Sequence, residues 1–288
     1  MIYDFPFKSR YIDISGSKMH YLDEGEGPTI VLVHGNPTWS YYYRHLIGAL
    51  SKNFRVIAVD HMGCGLSDKP DKYSYTLAKH IENLTILVDS LNLSSLSLVV
   101  HDWGGAIGFG YATRFPDRID SIVILNTAAF RSQRIPLRIQ ICRWPIAGEL
   151  IVRGLNGFAW PATFMAVKKP MSKEVVSSYL HPYDSWKNRI AVYGFVKDIP
   201  LHKNHVSYET LLSIEKRLPE LRERGIPMMV LWGGRDFCFN DHFYDEWQKH
   251  FPDARYHYLQ DCGHYVLEDG HGTVEPIIDD FFKDVVLK

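Results

Sequence analysis

The sequence is short of most features that would classify it quickly. No apolar run approaches the ~18 residues of a membrane-crossing helix, so no span is expected. Neither sign of charge dominates. The 32 Lys+Arg and 33 Asp+Glu leave a net charge of −1, and this overall balance points to neither nucleic acid nor an anionic membrane surface. Cysteine is scarce, and Cys64, Cys142, Cys238 and Cys262 are scattered without a CxxC pair. That usage fits free thiols in a reducing, cytoplasmic compartment. MIYDFPFKSR has no basic stretch leading into an apolar core, so no leader is expected there. There is no fixed-period repeat and no low-complexity tract, which excludes solenoids and collagen-like chains.

What is present is a large apolar fraction, 46% of 288 residues, enough for one α/β domain with an insertion. TIVLVHG (29–35), FRVIAVD (54–60), LSLVVHD (96–102) and SIVILNT (121–127) are apolar almost throughout. Strands of a parallel sheet covered on both faces by helices look like this. Leu77, Ile81, Leu84, Val88 and Leu91 predict one helical stripe between the second and third runs. YIDIS and KMHYLDEGEG predict an antiparallel hairpin ahead of them. IPMMVLWGGRD (226–236) and ARYHYLQDCGH (254–264) resume the strand pattern, with helical DHFYDEWQKHF and TVEPIIDDFFKDVV beside them. From 131 to 214 the alternation stops in an arginine- and tryptophan-rich helical block. The expected organisation is a core of 1–130 and 215–288 carrying a helical cap of 131–214.

Ligands of such sheets bind beyond the carboxyl ends of the strands. Those ends here carry His34-Gly35-Asn36-Pro37, Asp60, Asp102-Trp103, Asn126, Asp236 and His264. At VHDWGG a strand pattern stops at Asp102 and a small-residue helix begins, with small residues expected two positions before and two positions after Asp102 because a tight strand–helix elbow crowds its neighbours. The chain order of nucleophile 102, acid 236 and histidine 264 fits a nucleophile–acid–histidine triad. Asp before a small-residue helix is also an ordinary N-cap, a bland reading that the ordered acid and histidine weaken.

HGNPTWSYYYR, DHMGCGLSDKP, VHDWGG, WGGRD and GHYVLED, taken together, resemble the haloalkane dehalogenase branch of the α/β-hydrolase superfamily. They span residues 34 to 269. The resemblance implies an α/β-hydrolase fold: a mostly parallel eight-stranded sheet flanked by helices, with an inserted cap. VHDWGG alone is less specific, because epoxide hydrolases share it.

The chemistry follows from the residue types. Asp102 is anionic at neutral pH with a reference pKa near ~3.9, so it can displace a leaving group from sp³ carbon without prior deprotonation. His264 is then free to draw a proton from the water that hydrolyses the alkyl ester. Asp236 would orient the imidazole. Trp103 offers an indole N–H and Asn36 an amide NH₂; the resemblance makes them the pair that holds the departing halide. Their backbone N–H groups would form the oxyanion hole. Turn geometry before Pro37 and simple packing are the plainer readings of Asn36 and Trp103. His271 rivals His264 but stands between glycines, and Asp261 reads as a turn residue. Asn126, where one dehalogenase subgroup is implied to carry its acid, cannot act as an anion.

No cofactor or metal is implied: His202 and His205 lack a third ligand, and Gly63 and Gly65 lack a phosphate-loop pattern. Asn36 speaks against an epoxide hydrolase, although Tyr179, Tyr183 and Tyr193 could serve one as lid acids. IPLRIQICRWPIAGELIVRGLNGFAW resembles the third dehalogenase subgroup, which includes β-lactone decarboxylases of olefin biosynthesis. The resemblance therefore leaves two substrates open, a haloalkane releasing halide or an alkyl β-lactone releasing CO₂, and it implies self-association. GFAWPATFMAV would suit either alkyl chain, though apolar stripes are more often plain packing. A ligand-binding receptor without turnover is a further alternative, but it would be expected to lack a triad member, and none is lacking.

Overall fold

A computed structural model describes residues 2–287. Eight strands form one sheet in the order β1-β2-β4-β3-β5-β6-β7-β8. β1 (Arg10–Ile14) and β2 (Ser17–Glu24) make the expected hairpin, and β2 also runs antiparallel to β4 (Arg55–Val59). From there β3 (Thr29–Val33), β5 (Leu96–Asp102), β6 (Ile119–Thr127), β7 (Met228–Gly233) and β8 (Arg255–Leu259) are parallel. Every residue of β5 and β7 is buried, which explains why these strands read as unbroken apolar runs.

Helices cover both faces. On one side lie α2 (Leu77–Ser90) and α3 (Trp103–Ala112), and on the other α1 (Arg44–Leu50) and α12 (Val274–Val286). The predicted stripe Leu77, Ile81, Leu84 and Val88 is buried in the core, with Leu91 half-buried at the helix end. Each such leucine or isoleucine contributes about 2 kcal/mol through burial. α10 (Asp241–His250) and the short α11 (Val266–Asp269) complete the β7–β8 and post-β8 connections.

The stretch between β6 and β7 carries α4 (Leu137–Cys142), α5 (Ala147–Glu149), α6 (Ala159–Met165), α7 (Lys173–Leu180), α8 (Ile190–Lys197) and α9 (Tyr208–Glu223). α9 crosses position 214/215 without a break and buries Leu218 and Leu221 in the core. Two buried polar ties hold this stretch to the sheet layer. Tyr179 of α7 donates to Glu268 of α11 at 2.5 Å, and Glu268 also accepts both terminal nitrogens of Arg44. Asp198, at the end of α8, accepts the Leu77 N–H that opens α2 at 2.7 Å and the Ser207 hydroxyl at 2.7 Å.

Burial pushes the Asp198 carboxyl up to about 6, against the lowering pull of Ser207 and of the Leu77 N–H. A carboxyl raised on folding is protonated more readily in the folded chain, so the cost of charging it is absent below about pH 4 and fully present above about pH 6. Asp198→Asn should therefore gain stability relative to wild type as pH rises through that window, by up to about 3 kcal/mol. Denaturant unfolding of both proteins at pH 4 and 7.5 checks this; a pH-independent difference would contradict it.

Candidate active site

β5 ends in an elbow. Asp102 has φ 51° and ψ −124°, and helix α3 begins at the next residue. Such an angle is strained for a residue with a Cβ, and it turns the side chain off the strand end rather than along it. The crowding is relieved on one side by Gly104, where a Cβ would collide with the Val33 carbonyl. The position two residues before Asp102 is Val100, buried within β5, so no small residue stands there. The second relief comes from another chain segment: a Cβ on Gly35 would overlap the Asp102 side chain. The sheet bends with the elbow, because the β5–β6 register slips between His101 and Asp102, pairing Asp102 with Thr127 and skipping Asn126.

Around this carboxylate the expected residues meet. The Asn36 backbone N–H donates to Asp102 Oδ1 at 2.7 Å. His264 Nε2 lies 3.7 Å from Asp102 Oδ2, and His264 Nδ1–H donates to Asp236 Oδ2 at 2.7 Å. Asp102, Asp236 and His264 are all buried. Burial raises the Asp102 carboxyl above its usual range, opposed by the charge of His264 and by the backbone N–H groups of Asn36 and Trp103. For His264 burial pulls downward, but Asp236 and then Asp102 outweigh it, and the imidazole is raised above 6.5. A nucleophile-like carboxylate, a histidine within reach and a second carboxylate fixing its tautomer is an arrangement for covalent catalysis.

Asn36 and Trp103 flank the same point. The Asn36 amide donates to the Val192 carbonyl of α8 at 3.2 Å, while its own oxygen is buried without a partner. The Trp103 ring packs on Phe195 of α8, 5.3 Å between centroids. The other strand-end polar residues divide between support and structure. His34 Nδ1–H donates to Gly35 O at 2.6 Å and Nε2 accepts the His61 N–H, so His34 shapes the turn that carries Asn36. Asp60 does not reach the site; it is occupied by His20 and by the N–H groups of Ser40 and Leu66. His271 pairs with Glu275 at 2.6 Å, and Asp261 pairs with Arg235 on the surface.

Asn126 was legible only as an unsuitable acid, yet it carries a different role. Its amide donates to Asp236 Oδ2 at 3.0 Å and to Gly233 O at 3.1 Å, and its oxygen accepts the Gly233 N–H at 2.8 Å. At φ 33° it sits where asparagine is tolerated better than most side chains. The only signal in the sequence was a polar residue ending an apolar strand. His101 Nε2–H donates to the His264 carbonyl at 2.9 Å, and Phe239 stacks on the His264 ring.

Two apolar cavities, of about 140 and 260 Å³, meet at this carboxylate. Asn36, Asp102, Ile139, Phe158 and Cys238 line both. One lobe runs past Trp103 toward Leu77, Ala106, Phe130, Leu211 and Phe243. The other runs past His264 and Tyr265 toward Pro161, Ala162 and Met165. GFAWPATFMAV thus serves the cavity as well as packing. Tyr179, Tyr183 and Tyr193 line neither lobe; Tyr183 donates to Thr38 O, and Tyr179 is held by Glu268. No cluster of three metal-ligating side chains occurs among the described residues.

A family model described as alpha/beta hydrolase fold matches residues 28–271. The chain belongs to the α/β-hydrolase family. Within that family it is 46% identical to a cis-3-alkyl-4-alkyloxetan-2-one decarboxylase of Shewanella oneidensis, over 97% of this chain and 89% of the relative. Haloalkane dehalogenase 2 of Mycobacterium tuberculosis is more distant, at 29% identity over 96% of each chain. Among solved structures, haloalkane dehalogenase DatA of Agrobacterium tumefaciens superposes with a TM-score of 0.87 at 26% identity, covering 97% of each chain. This α/β hydrolase therefore resembles enzymes of two chemistries on one scaffold.

The Asp236–His264 contact makes a prediction. In an NMR titration His264 should protonate with a midpoint above 6.5, and Asp236→Asn should move that midpoint downward. An unchanged midpoint would mean that Asp236 does not hold the imidazolium.

Proposed function

We propose that this enzyme decarboxylates cis-3,4-dialkyl β-lactones, with Asp102 as nucleophile. The observation that carries this reading is the pair of apolar lobes diverging from one carboxylate. A β-lactone of this class presents two alkyl arms on adjacent ring carbons, whereas a 1-haloalkane presents one. The 46% identity to a decarboxylase over nearly the full chain supports the same substrate. Residues 131–214 act in this reading as a cap that, together with core residues such as Leu77, Phe243 and Tyr265, walls both arms.

Asp102 Oδ2 attacks ring carbon C4 from the face opposite the ring oxygen. The C4–O bond breaks, its electron pair stays on oxygen, and a carboxylate now hangs from C3. Asn36 and Trp103 would donate to that developing charge. The bond from C3 to the carboxylate carbon then breaks, and its pair forms the C3=C4 double bond. The C4–Asp102 bond breaks in the same step, returning its pair to the aspartate, and CO₂ leaves. No water enters and no proton moves. Backside attack sets the new ester anti to the carboxylate, so the cis arrangement of the arms becomes a cis alkene. His264, paired with Asp236, stabilises Asp102 as a departing carboxylate rather than activating water.

A second reading, haloalkane hydrolysis, is favoured by the donor pair Asn36 and Trp103 beside a histidine held by a second carboxylate. There the alkyl–Asp102 ester persists until water, deprotonated by His264, attacks its carbonyl carbon.

Purified enzyme given a cis-3,4-dialkyl β-lactone should release cis alkene and CO₂. Asp102→Ala should lower that rate by about 10³-fold or more. With 1-bromoalkanes, His264→Ala should accumulate one alkyl group on the peptide containing Asp102, visible by mass spectrometry. With the lactone the same variant should still release alkene, more slowly, because no water is needed to free Asp102. Absence of alkene from the wild-type enzyme, with bromide released, would replace the first reading by the second.

A further inference from the structure

The near-neutral total charge conceals a local segregation. Residues 131–170 contain seven basic side chains and one acidic one, Glu149. Arg153 pairs with Glu149 and Arg131 with Glu215, which leaves five basic groups without a carboxylate partner among the ion pairs of the described residues. The same segment concentrates exposed apolar side chains: Trp144, Ile146, Leu150, Leu155, Trp160 and Phe164 all lie open to solvent. Ile146 is 77% and Leu155 78% exposed, values at which a large aliphatic chain gains nothing from the fold. Trp160 and Phe164 pack edge to face on one side of α6, outward from the Pro161, Ala162 and Met165 wall of the cavity. The Arg153 guanidinium lies over the exposed Trp186 ring at 4.4 Å. Arg134, Arg138, Lys168 and Lys169 are exposed at the margins, and Arg134 and Arg138 also line the lobes.

We propose that this face docks on an anionic lipid bilayer. Exposed aromatic and aliphatic side chains on short helices and the turns between them, flanked in the chain by arginine and lysine, match the physics of an interfacial anchor: the apolar groups enter the acyl boundary and the cations meet lipid phosphate. A protein partner of matched shape would bury the same apolar groups, but the excess of cations at the rim favours a surface of negative charge. No helix among the described residues is long and apolar enough to cross a membrane, so the contact is peripheral. Its position gives it a purpose. The segment that bears the patch also walls the two apolar lobes, so a substrate with poor water solubility can pass from bilayer to Asp102 beneath it. Docking itself does not depend on which reaction the site performs.

Flotation of the full-length protein with vesicles tests this. It should float with 3:1 phosphatidylcholine:phosphatidylglycerol vesicles at low salt, at least tenfold less with phosphatidylcholine alone, and markedly less at high salt. The triple variant Trp144→Ser, Ile146→Ser, Leu155→Ser should lose at least tenfold in flotation while keeping its melting temperature and its turnover of a short-chain substrate. Tryptophan emission should be quenched by brominated lipid in wild type and less so in the variant. No flotation with anionic vesicles, or equal flotation by both proteins, would overturn the proposal. So would a triple variant whose only change is loss of oligomers in light scattering, because the patch would then face a second copy.

Discussion

A carboxylate drawn out of water, at a backbone angle few residues adopt, is the constraint on which the rest of this molecule depends. Leaving the Asp102 charge unpaired in an apolar site would cost several kcal/mol, and its φ of 51° adds strain of order 1–3 kcal/mol. The surrounding structure offsets both. Gly35 and Gly104 leave room for the elbow, and the Asn36 N–H and His264 hold the charge. Asp236 holds His264, and Asn126 holds Asp236 against the end of β7. The supports follow or end five parallel strands, β3, β5, β6, β7 and β8, at their carboxyl ends, which is why the sheet order and the slip between β5 and β6 matter for chemistry.

Much of this was legible in the sequence, for physical reasons. Strands buried on both faces leave unbroken apolar runs, so β3 to β7 were visible to within a few residues. Asp102, Asp236 and His264 were readable because each interrupts or follows such a run. The hydrogen bonds of the support were not readable. Asn126 looks like a failed acid until β6 and β7 are side by side, and Gly35 protects an elbow 67 residues away in the chain. Asp60 has the same strand-end signature as the site residues, and only the hairpin bringing His20 to it shows that it is committed elsewhere. Nor does a run such as GFAWPATFMAV state which of its side chains face inward. Helix α6 divides it, with Ala162 and Met165 toward the cavity and Trp160 and Phe164 toward solvent.

The helical stretch between β6 and β7 joins substrate shape to surface character. Its inner residues split the space above Asp102 into two apolar arms, and its outer residues present aromatic and basic groups. Buried ties through Glu268 and Asp198 fix it to the sheet layer at two separated points. In the proposed reading, a scaffold shared with dehalogenases serves a two-armed substrate with the same aspartate as nucleophile.

Whether water takes part in turnover decides between the two chemistries most directly. The measurement is mass analysis of the Asp102 peptide after many turnovers in H₂¹⁸O. With a cis-3,4-dialkyl β-lactone the aspartate should carry no heavy oxygen, because it departs with the oxygen it brought. Heavy oxygen in Asp102 after lactone turnover would mean that an ester or anhydride is hydrolysed at the carboxyl carbon, and would contradict the fragmentation route.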